Sequence, residues 1–249
     1  MDFLRGFPPD TREGKGAIEE HFSRNTDLED HLRDHGRLDD LEQVSRIADM
    51  ADIQFVMQRE PLGLGDALRY GRDFTGDEPF AVLNGDSILD SMVPVTRQLI
   101  EVWEQFRQPV IAVEAVPGEK VDRYGIVSGN RLSDTLLAVE SVVEKPSPGD
   151  APSNLAIAGR YVLNPTIYEA LETLSPDRGG EIQLTDALTL LIARERVLAC
   201  SIRGKRYDIG NRLDFLETNI VFGLRRKDLA APLRTFLAGL DSDAGEDDR

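Results

Sequence analysis

Two short stretches of this chain carry the chemistry that its residues can do. The first is Gln58-Arg-Glu-Pro-Leu-Gly-Leu-Gly-Asp-Ala67, a glycine-rich bend opening a helix. The second, beginning about twenty residues after the first starts, is Phe80-Ala-Val-Leu-Asn-Gly-Asp86, an apolar strand ending in a carboxylate. Glycines at 63 and 65 let a backbone approach a flat or anionic ligand closely, and free amides at a helix start favour negative charge. An aspartate just past the carboxyl end of a buried strand lies where open α/β sheets bind ligands, although an Asp after Gly also suits a turn cap. Together these stretches point to a nucleotide held beside a metal-binding acid. A third element is Glu144-Lys145. Such a pair is ordinarily a solvated face, but Val142-Val143 before it and Pro146 after it place it at a strand end directed into a cleft.

The elements that must position these groups alternate. Residues 16–50 are polar and helical in period. Ile53–Met57 alternates as a strand, and Leu64–Asp73 forms a short helix. Strand Phe80–Leu83 precedes helix Val93–Phe106, in which Trp103 and Phe106 are core candidates. Strands follow over Pro109–Ala115, Tyr124–Ser128, Ala138–Glu144 and Ala156–Val162, then helices over Pro165–Leu174 and Ile182–Arg194, a strand over Val197–Arg203, and a helical region from Arg212 onward. That alternation implies a mostly parallel sheet covered by helices in one domain spanning 1–240, with 212–240 a C-terminal helical region and 241–249 an acidic frayed tail. Glu181 and Asp186 stand at the amino end of a helix, where acids cap as readily as they bind. His21, His31 and His35 lie in the polar helical stretch and are assigned no chemistry.

The whole composition limits the partners. The 249 residues suffice for one large core, and no window is apolar enough for a membrane span. The start, Met1–Pro9, lacks a basic region followed by an apolar run, so no signal peptide is expected. One cysteine, Cys200, sits in an apolar run and reads as a small buried hydrophobe in a reducing, cytoplasmic setting. A formal charge of −16 argues against nucleic acid and anionic membranes as partners, so a phosphate-bearing substrate must be held by local amides, a few cations and a divalent ion. The 29 basic residues include only five lysines. Strong acidity with little lysine is what a high-salt cytoplasm favours; a GC-rich genome gives the same bias.

Further motifs line up along the chain with the Gln58–Ala67 stretch: Gly16-Ala-Ile-Glu-Glu-His-Phe22, Asp27-Leu-Glu29, Asp77-Glu-Pro-Phe-Ala-Val82, Val143-Glu-Lys-Pro146, Ala151-Pro-Ser-Asn-Leu-Ala-Ile157, Gly159-Arg-Tyr161, Gly180-Glu-Ile-Gln-Leu-Thr-Asp186 and Tyr207-Asp-Ile-Gly-Asn211. On this ordered set rests a resemblance to the bacterial and archaeal UTP–glucose-1-phosphate uridylyltransferases. It covers roughly residues 12–237 in the family's order. It implies a Rossmann-like nucleotidyltransferase fold and the transfer of a uridylyl group from UTP to glucose 1-phosphate, giving UDP-glucose and pyrophosphate with Mg2+. Carried over residue by residue, Gln58 and Gly63 meet the uracil, and Asp86 and Asp208 hold the metal. Glu144 accepts sugar hydroxyls, Lys145 pairs with the sugar phosphate, Gly125 touches the hexose and Gly210 allows close approach. Arg160 and Tyr161 support the same site. The catalytic set is then Lys145, Asp86 and Asp208, and the C-terminal helices imply a homo-oligomer.

One departure stands out. Members of that family begin with a strand and a Gly-x-Gly-Thr-Arg loop that wraps the triphosphate, and the match here starts only near Thr11-Arg12. Arg12 or Lys15 cannot replace an array of fixed amides. The expectation is a sheet without its first strand–helix units and weak or absent turnover. Three readings fit: a uridylyltransferase represented here by its later portion, an enzyme completed by another chain, or a non-catalytic relative that binds sugar nucleotide or a partner. Within the enzyme reading, a thymidylyltransferase is the runner-up.

Overall fold

A computed structural model describes residues 20–243. Expectations that fall on 1–19 and 244–249, including Arg12, Lys15, most of the Gly16–Phe22 match and much of the acidic tail, lie outside the described residues.

Helices α1 (Thr26–Asp34) and α2 (Leu38–Ala48) open the described chain, followed by α3 (Gly63–Arg69) and α4 (Arg72–Thr75). Strands β1 (Phe80–Leu83) and β2 (Ser87–Asp90) lead to α5 (Val95–Phe106) and β3 (Val110–Ala115). A 3-10 turn, Gly118–Arg123, precedes the hairpin β4 (Gly125–Arg131) and β5 (Leu136–Glu144), then β6 (Leu155–Leu163). Helices α6 (Thr166–Thr173) and α7 (Leu184–Ile192), strands β7 (Leu198–Ser201) and β8 (Lys205–Asp208), and helices α8 (Arg212–Arg225) and α9 (Ala230–Asp243) complete it.

Six strands form one sheet in the order β1-β6-β3-β7-β5-β4, and β2 pairs with β8 in a small second one. The α/β layering agrees with the alternation read from the sequence, but the sheet is mixed. Only β3 and β7 pair in parallel; the other ladders are antiparallel. The reason is two reversed strands: β6 runs against β1 on one edge and β3 on the other, and β5 runs against β7 and β4. The first half of β6 also accepts β4 on the edge that β1 uses farther along. Gly159, at φ +67°, sits between those two pairings, and Asn84 N donates to its carbonyl at 2.9 Å. Only a glycine holds that φ without strain.

The sheet is covered on both faces, which is why its central strands read as continuous apolar runs rather than as alternation. Val110, Ala112, Val162 and Leu198 pack with Val95 and Leu99 of α5. Their neighbours Ile111, Tyr161, Leu163 and Ala199 point the other way, among Ile167, Leu171, Leu188 and Leu191 of α6 and α7. Cys200 is buried among the first group, as its apolar run implied.

Three expectations fail locally. Ile53–Met57 forms no strand, and Phe55 is 41% exposed. Its alternation is genuine, but no described strand lies alongside to take up its backbone groups. Phe106 is also exposed, because it falls in the last turn of α5, where the helix leaves the sheet; Trp103, one turn earlier, packs against the core and donates through Nε1 to Asn164 at 2.9 Å. The expected helix over 64–73 divides into α3 and α4.

Candidate active site

The cleft lies where the ends of several strands meet. The turn after β1 brings Asn84 and Asp86 to its rim, and the start of β2 brings Ser87. Tyr124 and Gly125 enter from β4, Glu144 and Lys145 from the end of β5, and Ile157, Gly159 and Tyr161 from β6. Gln183 and Leu184 come from the start of α7, and Arg206 and Asp208 from β8.

The small β2–β8 sheet carries the two acids. Ser87 registers with Asp208, and Ile209 N donates to Asp86 O at 2.8 Å, so residues 86 and 208 are brought side by side by main-chain pairing. Gly210 shows how closely their carboxylates converge. A Cβ built there would lie 3.1 Å from Asp208 Oδ1 and 3.4 Å from Asp86 Oδ2, so both oxygens face one small space that a side chain would fill. Gly210 N also donates to Asp208 Oδ1 at 2.9 Å. Two carboxylates with room for waters and phosphate oxygens suit Mg2+, which takes one or two protein carboxylates rather than a full protein cage. No cluster of three or more His, Cys, Asp or Glu ligands occurs among the described residues.

Arg160 fixes the turn that carries Asp86. Its guanidinium donates to Asn84 O and Gly159 O through Nη1 and to Ser87 O through Nη2, each at 2.9 Å. Burial lowers its pKa, and the Asp86 charge opposes that effect. Tyr161 lies behind, its phenol pushed up by burial first and by Glu144 and Asp86 next.

On the opposite wall Gly125 registers with Glu144, and a Cβ on it would meet Glu144 Oε2 at 3.2 Å and Thr185 Cγ2 at 2.9 Å. The absent side chain leaves the Glu144 carboxylate its place. Lys145 follows in a left-handed conformation, φ +43°, uncommon for a residue with a side chain and more so before proline. Its N–H donates to Tyr124 O at 3.0 Å, and its ammonium lies 3.5 Å from Glu144 Oε1, with the side chain 58% exposed. So exposed a pair contributes little stability. Strain of this kind collects at functional positions.

Gln58 and Gly63 are not part of this lining. Gln58 is buried, and its Nε2 donates to Asp66 Oδ2 at 2.8 Å and to Gly63 O at 3.3 Å. The glycines of α3 serve a protein contact. A Cβ at Gly65 would stand 2.6 Å from Ile182 O, and the main chains exchange Gly65 N to Ile182 O at 2.9 Å and Ile182 N to Leu62 O at 2.7 Å. This bridge holds α3 against the start of α7, so α3 borders the cleft through Leu64. Gly65→Ala is expected to destabilise the fold by about 1–3 kcal/mol, read as a lower urea midpoint. An unchanged midpoint would mean that the bridge is dispensable.

Four residues at the site are given no role in the reading above. Arg206 is almost fully buried between Glu114, bound through Nε, and Ile157 O, bound through Nη1 at 3.2 Å; its guanidinium lies 4.1 Å from the Tyr124 ring. Arg123 approaches the same ring at 5.6 Å and Asp208 at 3.7 Å. The signal available for it was its place directly before Tyr124-Gly125. Asn84 Oδ1 and Thr185 Oγ1 are buried without a hydrogen-bond partner, which costs about 1–3 kcal/mol each and is tolerated most readily beside a binding site.

An α/β sheet with two facing acids at its strand ends is the arrangement of a nucleotidyl transferase, and the model of that family matches residues 18–221. Within it the chain belongs to the UTP–glucose-1-phosphate uridylyltransferase family. It is 44% identical to that enzyme of Bacillus subtilis (strain 168), over 92% of this chain and 79% of the relative, and 41% identical to the one of Streptococcus pneumoniae serotype 4, over 95% and 80%. Among solved structures it is similar to the UTP-bound UGPase from Acinetobacter baumannii, at 34% identity and a TM-score of 0.81 over 91% of this chain and 79% of the other. It is also similar to a UDP-glucose pyrophosphorylase complexed with UDP-glucose, at 32% identity and a TM-score of 0.78 over 91% and 81%.

Proposed function

We propose that this cleft transfers a uridylyl group from UTP to glucose 1-phosphate, releasing pyrophosphate and forming UDP-glucose. The observation that carries the reading is the convergence of Asp86 and Asp208 on the space beside Gly210, opposite Glu144 and Lys145. A phosphate oxygen of the sugar attacks the α-phosphorus of UTP, the bond from that phosphorus to the bridging oxygen breaks, and pyrophosphate leaves. The protein contributes position and charge rather than a nucleophile. Lys145 holds the sugar phosphate as a point charge, and Glu144 accepts from the sugar hydroxyls, with Gly125 leaving room for the ring. Asp86 and Asp208 would hold a Mg2+ ion, which supplies charge neutralisation at the phosphates. Gln58 and Gly63 lie outside the lining, so the resemblance's assignment of them to the uracil requires Gln58 to turn its amide from Asp66 toward the cleft that α3 borders through Leu64.

Pyrophosphate release with Mg2+ tests the reading. The expected result is release requiring both UTP and glucose 1-phosphate, with UTP preferred over dTTP. Preference for dTTP would make the chain a thymidylyltransferase, and tight UDP-glucose binding without any release would make it a non-catalytic relative.

Two further properties belong to the same proposal. Leu213, Leu216 and Phe236 of α8 and α9 are 63%, 59% and 61% exposed, and we assign this face to contact between copies. Light scattering should give an oligomer that Leu216→Glu with Phe236→Glu reduces to a monomer; an unchanged mass would move the contact elsewhere. The acidic, lysine-poor composition is assigned to a salty, reducing cytoplasm. No described helix is long and apolar enough to cross a membrane. Stability measured against molar KCl should rise with salt; full stability in dilute buffer would count against that setting.

A further inference from the structure

We propose that Arg123 is a positioning residue for Asp208, and that through it the first turn of α8 forms part of the site. The inference rests on the reading of Asp86 and Asp208 as metal-holding acids.

Asp208 is held by Gly210 and Arg123, with the Tyr124 hydroxyl also against its carboxylate. Its Oδ1 accepts from Gly210 N at 2.9 Å and faces the space shared with Asp86, while its Oδ2 lies 3.7 Å from Arg123 Nη2. At 3.7 Å that contact is an ion pair and not a hydrogen bond. The hydrogen bond of the same nitrogen goes to Asp214 Oδ2, at 2.5 Å. Asp214 is itself fixed: it is the third residue of α8, its N–H donates to the N-cap Asn211 Oδ1 at 3.0 Å, and Asn211 Nδ2 donates back to its carboxylate. Arg123 and Asn211 together hold the Asp214 carboxyl below the usual carboxylate range.

The result is a rigid chain of contacts, from the capped end of α8 through Asp214 and Arg123 to the far oxygen of Asp208. With Oδ2 drawn toward Arg123 and Oδ1 pinned by Gly210 N, the carboxylate has one orientation, the one that faces Asp86. A cation on the side away from Asp86 also offsets the repulsion between two carboxylates that must stand close together before any ion arrives. If Arg123 only stapled the 3-10 turn to α8, a pair to Asp214 alone would suffice, and there would be no reason for its charge to sit against Asp208.

The test is titration of Mn2+ alone into the full chain, followed by the loss of its free EPR signal, together with thermal melts. The unaltered chain should bind one ion, and Asp208→Asn should abolish that binding; failure of either result sinks the metal reading beneath this proposal. Arg123→Met should weaken Mn2+ binding about tenfold, and Asp214→Asn should weaken it severalfold in the same direction. Arg123→Lys, which keeps the charge but not the planar guanidinium, should recover part of the loss. Variants that melt lower yet bind Mn2+ as the unaltered chain does would reduce Arg123 to a staple and overturn the proposal. Tighter binding in Arg123→Met would also overturn it, because the arginine would then be a competitor of the metal rather than its support.

Discussion

Asparagine in place of Asp86 or Asp208 is expected to lower turnover at least a hundredfold while leaving the urea midpoint within about 0.5 kcal/mol. The site explains both halves of that expectation. Asp86 is exposed and Asp208 partly so, and asparagine keeps the Oδ1 that accepts from Gly210 N. Little of the fold therefore depends on either charge. The chemistry depends on both, because a single ion placed between them loses its site when one is neutralised. It follows that the double variant should be scarcely slower than the worse of the singles, as groups acting as a unit are not additive. Steady-state rates of the three variants give the answer. Losses that multiply would mean that the acids act separately.

Lys145→Ala carries the second large effect. An ammonium to phosphate contact is a charged hydrogen bond worth about 1.5–3 kcal/mol, so the KM for glucose 1-phosphate should rise roughly ten- to a hundredfold. The KM for UTP should change much less. Because Lys145 sits at φ +43°, Lys145→Gly separates the side chain from the strain. Glycine adopts that conformation freely, so this variant should lose sugar phosphate binding as alanine does, yet melt no lower than the unaltered chain. If the UTP constant moved instead, Lys145 would belong to the nucleotide side.

The fold was legible wherever a residue's neighbours in sequence determine its environment. The run Val110–Val113 announces a strand covered on both faces, and the alternation of helices and strands announces the α/β layers. Strand direction was not legible. Nothing local in Leu155–Leu163 says that it inserts antiparallel between β1 and β3, and together with the reversed β5 that insertion makes the sheet mixed. Ile53–Met57 shows the same limit from the other side, because a strand pattern is only half of a ladder.

The site divides in the same way. Asp86, Gly125, Glu144, Lys145 and Asp208 lie on one cleft, and each stands at or beside a strand end where the apolar pattern stops. Gly63 and Gly65 satisfy the same local rule for close approach, but what approaches them is Ile182, more than a hundred residues away. Gln58 likewise finds Asp66. Arg123 and Arg160 act through carboxylates and carbonyls brought near by folding, so their places beside Tyr124-Gly125 and Tyr161 mark them as near the site without saying what they hold.

The most direct test is anomalous diffraction from crystals of the chain grown with UTP and Mn2+. The account expects one manganese peak beside Gly210, coordinated by both Asp86 and Asp208. A peak that touches neither residue, or the two carboxylates turned to opposite sides with no ion between them, would contradict it.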